Sequence, residues 1–228
     1  MSPTPDRTTQ VLLTCGALAA PLFFAAVLVQ DYTRTDGYDP RRHPLSMLSL
    51  GDLGWIQSAN FAVTGLLFIA FAAGLRRLRR PGHEGIWGPV LLGAFGLGLI
   101  AAGIFVPDPA WGFPPGAPAG RAPVPTATGY LHALAGFTAF TGVTAASLVF
   151  ARRFARRRQA RAGWLCSAAA VVTYGAFLGS SPASGGGEQG RPLSLLLRLG
   201  ALAGWGWASL LAAYFLRTRP SGPTETAG

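Results

Sequence analysis

Residues 11–46 read VLLTCGALAAPLFFAAVLVQDYTRTDGYDPRRHPLS, and the change of character at residue 31 decides the fold. Positions 11–29 carry no charge, whereas 31–43 hold three aspartates, three arginines and a histidine. An uncharged run of this length approaches the ~20 residues that span a hydrocarbon core. The polar segment after it must lie where water or other polar groups can meet it. The run is longer than the apolar core of a cleaved leader, and no small-x-small cleavage site precedes the loop, so it reads as a retained helix.

The pattern recurs along the chain. Apolar segments at 11–29, 55–75, 86–106, 129–150, 162–180 and 193–216 predict an all-α, polytopic membrane protein: a six-helix transmembrane domain over 11–216. Residues 1–10 and 217–228 are expected to be disordered ends. Composition agrees, because only 12% of the 228 residues are charged and half are hydrophobic, against about a quarter charged in soluble domains. All nineteen basic residues are arginine, which excludes a retinal-type Schiff base, a Walker lysine and a lysine nucleophile. Cys15 and Cys166 fall inside apolar runs and read as small hydrophobes rather than a disulfide.

The net charge of +10 is not spread as a nucleic-acid binder would spread it. Arginines collect in LRRLRR (75–80) and ARRFARRRQAR (151–161), at the ends of spans. With both termini cytoplasmic, the inner side holds Arg7, Arg76, Arg77, Arg79, Arg80, six arginines in 152–161, Arg217 and Arg219. The outer side holds Arg34, Arg41, Arg42, Arg121, Arg191 and Arg198, matched by Asp31, Asp36, Asp39, Asp52, Asp108 and Glu188. The positive-inside rule therefore selects this orientation, with membrane lipids as the first partners and no nucleic acid. Trp87 and Trp164 follow the basic loops at helix entrances, as an interfacial belt requires.

Within the bundle, Ala94, Gly98 and Ala102 form one row of small residues and Gly200 and Gly204 another, each suited to close helix approach. Pro21 should kink the first helix unless a neighbour satisfies the freed backbone. The segment PLSMLSLGDLGW (44–55) reads as a short amphipathic interfacial helix starting at Pro44, with Asp52 as N-cap of the second span.

The polar residues at the outer ends set the functional question. Asp31 ends the first span, Asp108 the third, His132 lies a turn inside the fourth and Arg198 inside the sixth among leucines. These four share a depth, and an arginine there calls for a partner, Asp31 or Asp108. Asp108, Asp31 and His132 are the candidate catalytic groups, since a buried carboxylic acid could act as general acid. Arg198, Arg34, Asp36, Asp39, His43, Gln57 and Asn60 are the candidate ligand-binding groups. The competing reading is structural: the aspartates and arginines lock the loop over the bundle, Asp108 caps the PDPAWGFPPG turn, and His132 is a satisfied interior histidine. His83 reads as a solvated loop residue, and three histidines on separate loops make no metal site. No cofactor fingerprint is present in the sequence.

DYTRTDGYDPRRHPLSMLSLGDLGWIQSANFAVTGLL, GIFVPDPAWGFPPGAP and YLHALAGFTAF together resemble a bacterial membrane family, domain of unknown function 998, over residues 11–216. The resemblance implies six spans and a site at the outer face, and implies no substrate. The family pattern has a Gln-Arg pair in the last span, where this chain has Leu197-Arg198, and an acid after the histidine, where this chain has Ala133.

Three functions follow in order. The first is a binding or scaffold protein holding a lipid head group or an amphipathic small molecule. The second is a membrane-embedded isomerase or cyclase acting on a lipid-like substrate. The third, a transporter, is disfavoured by the apolar middles of the helices.

Overall fold

The computed structural model describes residues 6–78, 85–180 and 190–218. It holds six helices long and apolar enough to cross a membrane: α1 (Arg7–Thr33), α2 (Gly54–Arg77), α3 (Trp87–Ile104), α4 (Ala127–Arg156), α5 (Ala160–Gly179) and α6 (Gly190–Arg217). Among the described residues there is no strand, only an isolated bridge between Ala110 and Phe113. Arg79, Arg80, His83, Glu188, Arg219 and the side chain of Arg191 lie outside the described residues, as do 1–5 and 219–228 of the expected disordered ends.

α1 starts at Arg7, inside the segment expected to be disordered, because Asp6 caps it: Oδ1 accepts from the Thr9 amide at 2.9 Å. Arg77 of α2 holds the same carboxylate at 2.8 Å, and these contacts bring the Asp6 carboxyl down to about 2. Each helix packs on its sequence neighbours, and α6 returns to α1, so the six form a closed ring. Trp205 of α6 fills the middle of the ring, with its indole 6.2 Å from the Phe23 ring, 4.9 Å from Phe95 and 5.2 Å from Phe140.

The small-residue rows do what their spacing predicts. A Cβ on Gly98 would lie 2.7 Å from the Ala139 amide nitrogen, and one on Gly204 would lie 3.0 Å from Thr173 Cγ2. Pro21 sits inside α1 and frees the Ala17 carbonyl, while Ser209 of α6 bonds the adjoining backbone pair, Ala20 and Gly16. The Ser209 hydroxyl accepts from the Ala20 amide at 3.0 Å and donates to the Gly16 carbonyl at 2.7 Å, bridging the two ends of one helical turn. Cys15 and Cys166 are free thiols, and Cys166 Sγ accepts from the Trp207 indole at 3.2 Å.

The segment after Pro44 differs from expectation. It is a 3-10 turn over Leu45–Ser49 whose Leu45, Met47 and Leu48 are buried in the bundle rather than laid on an interface. Its apolar residues are too closely spaced for one face of an α-helix, and the turn buries them by going inward. Asp52 is exposed and does not cap α2, whose N-cap is Leu53 with no side-chain bond.

Candidate functional site

The two connections at the α1–α2 end of the bundle interlock there. Arg34, the first residue past α1, has a side chain only 1% exposed. Its guanidinium donates to the Leu48 and Leu50 carbonyls at 2.7 Å each and forms an ion pair with Asp36. It also lies over the Phe113 ring at 5.4 Å and the Tyr38 ring at 5.8 Å. Phe113 comes from the α3–α4 connection, is fully buried, and packs against Tyr38 and His43. Burial opposes ionisation of Asp36, but the Arg34 guanidinium outweighs it and holds the carboxyl below its ordinary range.

His43 joins the same two connections. Nδ1 accepts from the Asp39 amide at 2.9 Å, which leaves Nε2 to donate to the Trp111 carbonyl at 3.2 Å. Burial holds its pKa below 6.5, so the ring is neutral. Asp39 is a turn builder: its Oδ1 accepts from the Arg41 amide at 2.8 Å and its carbonyl from the His43 amide at 2.8 Å.

Arg198 finds one of its two expected partners. Its Nη1 and Nη2 grip Asp31 at 2.8 and 3.1 Å, and Nη2 also donates to the Tyr38 hydroxyl at 2.8 Å. Tyr38 hands the bond on to the His43 carbonyl at 3.1 Å, and burial pushes its phenol upward, so it stays a neutral relay. Ser194 Oγ, beside Arg198 on α6, lies 2.9 Å from the carbonyls of both Pro40 and His43. The fork of Arg198 thus ties α6 to α1 and to the loop between α1 and α2.

Asp108 is elsewhere. Its carboxylate accepts from Thr126, the N-cap of α4, through Oγ1 at 2.5 Å and the amide at 3.1 Å. It caps the start of α4 rather than its own PDPAWGFPPG turn. His132 Nδ1 stands 2.7 Å from the Phe105 carbonyl at the end of α3. Gln57 and Asn60 belong to a third cluster, one turn deeper. Gln57 Oε1 accepts from Gln30 at 2.9 Å and Asn60 at 3.2 Å, and Asn60 also donates to the Phe23 carbonyl at 3.1 Å. The equal depth expected for Asp31, Asp108, His132 and Arg198 does not bring them into one cluster: Asp31 and Arg198 make a clamp, whereas Asp108 and His132 face a cavity.

That cavity measures about 620 Å³ and is walled by α2, α3, α4, α5 and α6. Asp108, Arg121, His132 and Ser180 line it toward the loops; Phe61, Leu99, Phe140 and Trp205 line it toward the middle of the bundle. Its size lies within the ~300–1,000 Å³ of small-molecule sites, and a mostly apolar wall with a few polar groups is their usual chemistry. Gly136 lines it, and a Cβ there would meet nothing within 4 Å. Phe137 and Leu178 line it while also exposed on the bundle's surface, so it opens between α4 and α5.

Residues 17–214 match the family described as "Protein of unknown function (DUF998)". The chain belongs to that family. No curated protein and no solved structure matches it. Membership in DUF998 covers the clamp, the interlocked connections and the cavity alike, since all their residues fall inside the matched range.

Sequence reading missed Tyr38, Gln30, Ser194, Phe113 and Arg121. Ser194 lies four residues from Arg198, on the same helix face, a proximity that could have flagged it, whereas Gln30 adjoins Asp31 only in sequence. Phe113 and Arg121 carried no such signal, because loop geometry alone places them.

Proposed function

We propose that this multi-pass membrane protein binds an amphipathic, lipid-like molecule in the cavity between α3, α4, α5 and α6, as a binding protein of the bacterial plasma membrane. The observation that carries this reading is the cavity itself, apolar in its depth, polar toward the loops and open between two membrane-spanning helices. Such a shape suits a ligand that arrives from among lipid chains with its polar end toward the membrane surface. The arginine-rich opposite end of the bundle supports a cytoplasmic location for both termini, which turns the cavity toward the outer leaflet. Arg34, Arg198 and their carboxylates then act as the frame that holds the cavity's loop wall. A second reading, acid–base chemistry on the bound molecule, has one observation in its favour: Asp108 and His132 both line the cavity.

Gly136→Leu tests the proposal, because Gly136 lines the cavity and a Cβ there would meet nothing within 4 Å. Mass spectrometry of molecules that co-purify in mild detergent should show a species held by the native protein and lost from Gly136→Leu at unchanged melting temperature. The same lipids with both proteins would contradict it.

A further inference from the structure

Resting on that reading, we propose that the ligand's head group is an anion, a carboxylate or a phosphate, received by Arg121. Among the described residues three arginines at this end of the bundle are removed at least partly from solvent, and two of them have carboxylate partners: Arg34 with Asp36, and Arg198 with Asp31. Arg121 differs. Among the described residues no carboxylate pairs with it; its one hydrogen bond runs from Nη2 to the Ser180 carbonyl at 3.5 Å, the outer limit of such a bond. Its Nε is buried without a partner, and its guanidinium rests on the Trp111 ring at 5.8 Å.

Asp108 lines the same cavity but makes no ion pair with Arg121, and its two oxygens accept from Thr126 instead. A partly desolvated guanidinium in this position carries an electrostatic cost that an anion would offset. Its planar fork offers two parallel donors to a carboxylate or a phosphate, while stacking on Trp111 fixes the plane of the fork. Beyond it the wall turns apolar toward Phe140 and Trp205, where a hydrocarbon chain would lie. The occupant is therefore an anionic amphiphile, entering between Phe137 and Leu178 with its charge trailing at Arg121. A neutral alcohol would fill the same apolar length and leave the guanidinium unpaired.

Quenching of tryptophan fluorescence reads this out, because Trp111 and Trp205 line the cavity. The probes are a mid-chain dibrominated fatty acid, the alkyl phosphate and the fatty alcohol of the same chain, each titrated into purified full-length protein. The native protein should bind one or both anions roughly tenfold more tightly than the alcohol, the scale of a charge-assisted hydrogen bond. Arg121→Gln should lose that preference and keep alcohol binding, with an unchanged melting temperature; Arg121→Lys should keep part of it. A preference for the carboxylate would point to free fatty acids, and a preference for the phosphate to phospholipid or prenyl phosphate head groups. Equal binding of the alcohol by native protein, or an anion preference surviving in Arg121→Gln, would overturn the assignment of the head group. Failure of all three probes, or binding of all three unchanged in Gly136→Leu, would instead overturn the cavity reading.

Discussion

Arg198 was conspicuous in the sequence because an arginine among leucines has to find a partner, and the partner is Asp31. Their side chains are 20% and 10% exposed, so removal of one strands the other in a poorly solvated place. Arg198→Ala should therefore cost about 3–5 kcal/mol, and Asp31→Asn less, because the amide oxygen still accepts a bond. Unfolding in mild detergent measures both, and a variant as stable as the native protein would remove the clamp from the account. His43 makes a second prediction. Burial lowers its folded-state pKa below 6.5, so at mildly acidic pH the unfolded chain takes up a proton that the folded one refuses. Stability is then full above 6.5 and declines as pH falls through and below it. The melting temperature should drop between about pH 7.5 and about pH 5.5, and His43→Gln should flatten that slope. At this scale the sequence was legible wherever the cost of a residue was local: a buried arginine, a proline in a helix. It was silent on partner choice. Depth made Asp108 as good a partner for Arg198 as Asp31, and only the direction of the chain after Pro107 sends Asp108 to Thr126 instead.

Helices were legible because each needs only its own residues to satisfy its backbone, and the described residues hold six helices long and apolar enough to cross a membrane, as expected. Their ends were less so. The Asp6 cap that extends α1 and the Thr126 cap that starts α4 depend on side-chain bonds that hydropathy does not register. The 3-10 turn after Pro44 is buried in a core cluster that also holds Phe113 of a distant connection, a fact beyond any local pattern. Pro21 lies between these cases. Sequence demanded a neighbour for the Ala17 carbonyl that the proline frees; α6 instead supplies Ser209 to the adjoining pair, Ala20 and Gly16. Ser209→Ala would leave a buried amide and carbonyl to find each other by straightening α1. A loss of about 1–3 kcal/mol follows if they cannot, read as a lower melting temperature; no change would mean that α1 closes its own bond at that turn.

Across the whole molecule, a ring of six helices has two kinds of interior, and this one uses both. Trp205 and its phenylalanine neighbours close the middle, while the half nearer the loops keeps a cavity. The interlocked connections are stiffened by Arg34, His43 and Phe113, and the Arg198–Asp31 pair anchors them to α1 and α6. On the proposed reading Arg34, Arg198 and their carboxylates frame the cavity, and the cavity beside them is lined mostly by alanines, leucines and phenylalanines that are indistinguishable in sequence from ordinary packing residues. Charge therefore drew attention to this end of the molecule, and to Asp108 and His132 on the cavity's edge, but not to the apolar wall. The most direct measurement is an experimental density map of protein purified from its own membrane without added lipid. The account predicts elongated density in the cavity, its polar end at Arg121 and its chain running toward Trp205. A cavity that has collapsed, or density seated instead on Arg198 and Asp31, would contradict it.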